Sequence, residues 1–200
     1  MILLKTNFLD HASYKQLCHD VDTYADHPAI VRYDNKYEKK HALDAKHFRP
    51  DSFIEKQYNY INNVGAQWLR RLWYGHEVHK DNESRGCGLH ILPPGGFLDL
   101  HYDGNWHPDL QKARFANAVY YVKGPASSKF IIDDQAIRFE PNMLVVFTTE
   151  NVLHGVPDPV DYARFTLSSF YYMDADPPER KHRALFVNAP EGFSSERAKL

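Results

Sequence analysis

From Gly86 to Tyr172 the chain is a series of short apolar runs, at 88–92, 97–101, 115–122, 129–133, 136–139, 143–148 and 163–173. Between them stand Pro93-Pro94-Gly95-Gly96, Gly124-Pro125, Asp133-Asp134, Glu140-Pro141-Asn142 and Pro157-Asp158-Pro159. Such residues suit turns, because glycine tolerates positive φ, proline fixes φ, and Asn or Asp bonds to nearby backbone. Runs of this length between such breaks are predicted as strands, and their regular punctuation is the signature of a β-sandwich or barrel.

The narrower expectation is a mainly β fold with flanking helices, built on a double-stranded β-helix, the cupin-like jelly roll. Ahead of Gly86 the periodicity changes: Ile54, Tyr58 and Ile61, then Trp68, Leu69 and Leu72, recur at helical spacing after Pro50-Asp51, a helix start. Residues 1–85 are therefore expected to be mainly helical support, 86–173 the β core, and 174–200 a polar, loosely held tail. Two hundred residues with 43% hydrophobic content suit a single domain spanning 1–200. A formal net charge of −2 gives no electrostatic argument for nucleic acid or an anionic membrane as a partner. Cys18 and Cys87 are the only cysteines and form no metal-ligand spacing, which fits a reduced, intracellular chain. Met1-Ile2-Leu3-Leu4-Lys5 breaks its apolar run too early for a signal peptide, and no stretch is long enough to span a bilayer. The expected location is the cytoplasm, and oligomeric state leaves no mark on the sequence.

The chemistry concentrates in a few residues. His101-Tyr102-Asp103 ends the run Phe97-Leu98-Asp99-Leu100-His101, and side chains two apart share one side if extended geometry continues through Asp103. His154 follows the strand-like Met143-Leu144-Val145-Val146-Phe147, and a β-sandwich readily brings such distant strand ends together. Two neutral imidazoles and an ionised carboxylate are the donor set of the facial triad that holds non-haem Fe(II) and leaves coordination positions open. Farther on, period-two alternation puts Arg164, Thr166, Ser168 and Phe170 on one face of a strand. Facing inward, Arg164 is a buried cation that requires an anion, and a ligand carboxylate can meet it bidentately. The other readings of Arg164 are a structural salt bridge to one of the chain's many acids, or simple exposure on an outer strand.

In their order these motifs resemble those of the Fe(II)/2-oxoglutarate-dependent oxygenases, nearest to the prolyl-4-hydroxylase-like branch. Gly88-Leu89-His90, Pro94-Gly95-Gly96-Phe97-Leu98 and His101-Tyr102-Asp103 resemble the approach to the family's first two ligands. Arg114, Asn117 and Tyr120-Tyr121-Val122 are similar to the strand written Arg…Tyr-Leu-Asn. Phe139-Glu140-Pro141-Asn142-Met143-Leu144-Val145-Val146-Phe147 resembles the strand before the distal histidine, and Arg164-Phe165-Thr166 the Arg-x-Ser/Thr pair. The pattern departs at Lys123-Gly124-Pro125-Ala126-Ser127-Ser128-Lys129-Phe130, where the family often carries a tryptophan and a Gly-Gly-x-Leu strand.

The resemblance implies that His101, Asp103 and His154 bind iron and that Arg164 grips the distal carboxylate of 2-oxoglutarate, with Tyr121 and Thr166 offering hydroxyls. His90, Asn117, Tyr102 and Trp106 are candidates for the cleft lining, and His107, Arg114, Trp68 and Trp73 are further ones. Implied as well are Fe(II), O2 and 2-oxoglutarate as co-substrate, with succinate and CO2 released as a substrate is hydroxylated. Asp103 favours hydroxylation over halogenation, since halogenating relatives vacate that position for halide. By analogy the substrate is a prolyl or other side chain of a peptide or protein, with a small molecule as the other class. Two further readings stay open at this level: a cupin-like metal enzyme that does not use 2-oxoglutarate, and a non-catalytic β-sandwich interaction domain.

Overall fold

Every side chain from Met143 to Phe147 is buried, so this strand must carry protein on both of its faces. In the computed structural model, which describes residues 1–81, 86–177 and 185–189, it does. The strands are β1 (Ile2–Lys5), β2 (Val31–Asp34), β3 (Glu38–Asp44), β4 (His79–Lys80), β5 (Gly88–Leu92), β6 (Phe97–Tyr102) and β7 (Trp106–His107). They continue with β8 (Lys112–Lys123), β9 (Lys129–Ile132), β10 (Gln135–Arg138), β11 (Met143–Thr148), β12 (His154–Val156), β13 (Arg164–Met173) and β14 (Leu185–Phe186). Two α-helices, α1 (His11–Thr23) and α2 (Phe53–Leu72), and a short 3-10 helix, Ala45–His47, complete the described elements.

The strands form one curled sheet in the order β1-β11-β8-β13-β5-β3-β6-β12-β9-β10. The curl turns at β3, which pairs antiparallel with β5 through His41–Asp44 and with β6 through Glu38 and Lys39. One layer is thus β1-β11-β8-β13-β5 and the facing layer β6-β12-β9-β10. Alternation along each strand divides the core in two. Met143, Val145 and Phe147 face inward with Tyr121, Phe130 and Phe139, whereas Leu144 and Val146 face outward with Tyr120, Leu89 and Leu167. Helices cover that outer face with Leu17, Val21, Ile54, Ile61 and Leu69. The architecture is a mainly β jelly roll, a double-stranded β-helix core with a helical layer packed outside.

Helix α2 begins at Phe53, two residues after Asp51, because Ser52 is its cap. The Ser52 hydroxyl accepts the Glu55 N–H at 3.4 Å, and the Glu55 carboxylate reaches back to the Asp51 N–H at 2.7 Å. Its buried stripe runs Ile54, Tyr58, Ile61, Gly65, Ala66 and Leu69, the 3.6-residue period read onto a packed face. Gly65 is there for want of room: a Cβ would overlap the Tyr171 hydroxyl, which donates to the Asn62 carbonyl at 3.0 Å and so joins α2 to β13.

Residues 1–85 are less helical than their periodicity implies, since β1 to β4 also come from this stretch. Strand β3 opens Glu38-Lys39-Lys40-His41, with no apolar alternation, and is extended because β5 and β6 pair with it. The expected tail is also not loose throughout. Leu185 and Phe186 pair with Tyr102 and His101 of β6, and Phe186 is buried; 178–184 and 190–200 lie outside the described residues. No helix among the described residues is long and apolar enough to cross a membrane.

Candidate metal centre

Strands β6 and β12 bring two histidines face to face. His154 is the direct cross-strand partner of His101, with ring centroids 4.5 Å apart. Gly155 permits that approach, because a Cβ there would lie 2.7 Å from the Leu98 carbonyl oxygen and 2.8 Å from that of Asp99. The Nδ1 of His101 lies 2.9 Å from the Asp99 carbonyl oxygen and that of His154 3.0 Å from the Val152 carbonyl oxygen. A carbonyl only accepts, so each Nδ1 carries the proton and each Nε2 presents a lone pair. Burial, followed by the neighbouring His154, pushes His101 down to about 3, which keeps its ring neutral.

Asp103 stands one residue beyond β6. His101 Nε2 is 3.8 Å from its Oδ1 and His154 Nε2 is 3.2 Å from its Oδ2. The ligating atoms of the three residues all lie within 4.8 Å of one another. Burial alone would raise the Asp103 carboxyl, but the Arg114 guanidinium beside it outweighs burial and holds the group well below the usual carboxylate range. Asp103 Oδ2 accepts from Asn117 Nδ2 at 2.6 Å and lies 3.0 Å from an Arg114 guanidinium nitrogen. Arg114 also donates to Asn117 Oδ1 at 3.0 and 2.8 Å, while its guanidinium lies 3.3 Å over the Phe170 ring. The carboxylate is thus oriented from behind, a support that metal-binding carboxylates require.

The three residues share a cavity of about 220 Å³ with Arg164, Thr166, Ser168 and Phe170, so the alternating face of β13 does look inward. Arg164 is 6% exposed, and its Nε has no hydrogen-bond partner among the described residues. Its guanidinium lies 5.1 and 5.4 Å from the rings of Tyr121 and Phe139, which stack 4.8 Å apart. Among the described residues no carboxylate forms an ion pair with it, and burial lowers its affinity for its proton. A buried cation so placed is costly until an anion arrives. Gly124 gives the side chain its room, because a Cβ there would sit 3.0 Å from Arg164 Cβ and Cγ.

Of the other residues singled out by sequence, Thr166 pairs with both Tyr121 and His90 across β13 and lies on the cavity wall. Tyr121 is buried behind Arg164 and does not line the cavity; burial pushes its hydroxyl up to about 12 against the opposing pull of the neighbouring Arg164. His90 and Asn117 do line it. His90 Nε2 donates to the Gly86 carbonyl at 2.8 Å, Ser168 Oγ lies 3.4 Å from Nδ1, and burial pushes the ring down to about 4.

Several expected lining residues are elsewhere. Tyr102 points the opposite way from His101 along β6, is 37% exposed, and borders an adjoining pocket. Trp106 pairs with Ala113 and borders neither space, while His107 is buried 3.2 Å from Asp81. Trp68 and Trp73 pack edge-on against Phe8 and Phe115 in the helical core. Conversely, Tyr33 and Lys40 of the β2–β3 hairpin border the cavity, with Lys40 2.9 Å from the fully buried Glu38, and Phe186 packs 5.3 Å from His101. No local pattern marks these, since only the pairing of β3 and β14 with β6 places them there.

No protein-family model matches the sequence, and no curated protein matches it. Among solved structures the chain is similar to a Pseudomonas putida prolyl-4-hydroxylase, with a TM-score of 0.64 and 17% identity over 86% of this chain and 92% of that one. It is similar to a Trichoplax adhaerens prolyl hydroxylase, solved with a hypoxia inducible factor oxygen degradation domain peptide fragment, with a TM-score of 0.63 and 13% identity over 86% and 83% of the two chains. A third is SnoN, a non-heme alpha-ketoglutarate-dependent epimerase from nogalamycin biosynthesis, with a TM-score of 0.62 and 11% identity over 94% and 91%. The chain therefore has the fold that these prolyl hydroxylases and this epimerase share.

Proposed function

We propose that this protein is an Fe(II)- and 2-oxoglutarate-dependent dioxygenase that hydroxylates its substrate and releases succinate and CO2. One observation carries the reading: two histidine lone pairs and an ionised carboxylate converge in the same small cavity as a buried guanidinium that has no carboxylate partner among the described residues. The first set suits Fe(II), and the second calls for the anion that 2-oxoglutarate would bring. A cupin-like metal enzyme without this co-substrate leaves Arg164 unexplained.

The donor set fits the metal. His101 and His154 would each give Nε2, and Asp103 would give Oδ1 while Asn117 and Arg114 hold Oδ2. Arg164 and Thr166 would take the distal carboxylate of 2-oxoglutarate, and the stacked rings of Tyr121 and Phe139 keep water from the guanidinium. Bound there, Fe(II) with 2-oxoglutarate and O2 supplies the oxidising power that replaces C–H by C–OH as the co-substrate is decarboxylated. The chain's own contribution is neutral imidazoles, a fixed anion, a buried cation and an orientation for the substrate.

Likeness to two prolyl hydroxylases, one of them solved with a peptide, supports a prolyl or other side chain of a peptide or protein as the target. The epimerase shows that the same fold also serves another reaction. Two free cysteines, one of them buried, support the cytoplasm as its place. The test is succinate release from 2-oxoglutarate by the Fe(II)-loaded protein over a peptide and small-molecule panel. Release dependent on His154 is expected, and release no greater than that of His154→Ala overturns the reading.

A further inference from the structure

Besides Arg114 and Arg164, a third cation borders the cavity of the metal centre, and neither the metal nor 2-oxoglutarate requires it. Lys40 stands on the inner face of β3, level with Arg164 on β13. Ala42 and Thr166 both pair with His90; Lys40 lies two residues before Ala42 and Arg164 two before Thr166, with Leu92 between the two cations. They differ in depth. Arg164 is 6% exposed, whereas the Lys40 side chain is 19% exposed and lies toward solvent beside Tyr33, its cross-strand partner. Glu38, two residues earlier on the same face of β3, holds Lys40 in place. Its carboxylate is completely buried and lies 2.9 Å from the Lys40 ammonium, which also lies 5.0 Å over the Tyr33 ring. Burial of a carboxylate is unfavourable unless it is paired, so Glu38 keeps the ammonium on the cavity wall. An ammonium has three donors, and among the described residues Glu38 and the Tyr33 ring are the groups that engage it. A ligand in the cavity can therefore reach it.

Charge decides what kind of ligand that is. Three cations, Lys40, Arg114 and Arg164, line the cavity, against two carboxylates, Asp103 in its wall and Glu38 behind Lys40. Asp44, close to His90, has Lys46 as its own partner at 3.9 Å. Fe(II) and dianionic 2-oxoglutarate carry equal and opposite charge, so the excess of one positive charge persists when both are bound. In a buried cavity such an excess is unfavourable, and one more negative charge removes it. A carboxylate supplies one, whereas a phosphate monoester near neutral pH brings more. Arg114 is engaged by Asp103, Asn117 and the Phe170 ring, and Arg164 is taken by the co-substrate, which leaves Lys40 to receive the anion.

We infer that the primary substrate carries a carboxylate, which the Lys40 ammonium receives beside the Tyr33 ring on the solvent side of the metal cavity. This rests on the oxygenase assignment and deepens it by naming the substrate class. A carboxylate is common to a free amino acid, a peptide C-terminus and an acidic side chain, and the probes below separate the three.

Under anaerobic conditions the Fe(II) protein with 2-oxoglutarate is titrated calorimetrically with L-proline, N-acetyl-glycyl-L-proline and N-acetyl-L-aspartyl-L-prolinamide. Their counterparts without the carboxylate are L-prolinamide, N-acetyl-glycyl-L-prolinamide and N-acetyl-L-asparaginyl-L-prolinamide. At least one acid is expected to bind, with its amide weaker by about tenfold and with affinity that falls as salt rises. The acid that binds identifies the source of the carboxylate, and any of the three supports the class. Lys40→Met combined with Glu38→Leu removes the ion pair as a unit and strands no buried charge. That double variant should bind the acid about tenfold more weakly, while the 2-oxoglutarate needed for the visible band stays within about twofold of the parent. Equal binding of acid and amide or no binding of any acid overturns the proposal, and this comparison in the parent protein needs no variant. Full affinity for the acid in the double variant also overturns it, because Lys40 would then serve the fold alone. So does an equal loss of 2-oxoglutarate affinity, which would assign Lys40 to the co-substrate. The visible band of the Fe(II)–2-oxoglutarate complex, read in the same samples, keeps the failures apart. Its absence in the parent contradicts the oxygenase assignment, whereas a band without preference for the acids contradicts the substrate class alone.

Discussion

His101 and His154 stand directly opposite each other on β6 and β12, each tied through Nδ1 to a backbone carbonyl two residues before it. The backbone therefore selects the tautomer, and both Nε2 lone pairs face Asp103 before any ion is bound. Such pre-organisation is characteristic of a binding site, because side chains free to rotate would lose conformational entropy on coordination.

Asn117 connects Asp103 to Arg114. In Asn117→Ala the 2.6 Å hydrogen bond to Asp103 Oδ2 disappears, and Arg114 loses the acceptor that orients it. Fe(II) affinity is expected to fall by about 10- to 100-fold with the fold intact. Metal titration alongside circular dichroism checks both parts, and unchanged affinity would remove Asn117 from the support of the site.

Arg164→Met replaces a buried cation by an apolar chain of similar length. The metal-free, 2-oxoglutarate-free protein should be at least as stable as the parent, because the desolvated charge is gone. Stabilisation by added 2-oxoglutarate should be lost, while Fe(II) binding persists. Thermal unfolding with and without 2-oxoglutarate reads the difference; a large drop in stability without any ligand would mean that Arg164 serves the fold.

Gly124 matters for its missing side chain. Gly124→Ala puts a methyl 3.0 Å from Arg164 Cβ and Cγ. Stability is expected to fall by about 1–3 kcal/mol, the usual cost of overpacking, and the 2-oxoglutarate requirement should rise as the guanidinium shifts. Urea unfolding and a 2-oxoglutarate titration measure the two effects.

His90 provides a pH signature away from the metal ligands. Its folded-state value is pushed down to about 4, below an ordinary value of 6.5, by burial. Between these two the unfolded chain binds more protons than the folded one, so stability falls as pH falls through that window. Metal-free His90→Gln should show a shallower loss of urea midpoint over the same range. An unchanged slope would mean that His90 is protonated in the folded state without penalty.

Much of this was legible in the sequence where local pattern decides structure. β5, β6, β8, β9, β10, β11 and β13 fall on apolar runs bounded by turn residues, and period-two alternation brings Arg164, Thr166, Ser168 and Phe170 to one wall. The same alternation, applied to β6, turns Tyr102 away from the side that His101 faces. What stayed hidden depends on distant pairing. Strand β3 is charged and becomes extended only between β5 and β6, so Tyr33 and Lys40 reach the cavity without a signal of their own. Phe186 reaches His101 because β14 finds the free edge of β6.

The most direct test is anaerobic titration of the Fe(II) protein with 2-oxoglutarate, followed in the visible spectrum. A weak charge-transfer band should appear at stoichiometric co-substrate, require much higher 2-oxoglutarate in Arg164→Met, and vanish in His154→Ala. Iron that binds without producing a band would contradict the use of 2-oxoglutarate, and failure of iron to bind would show that His101, Asp103 and His154 are not a metal centre.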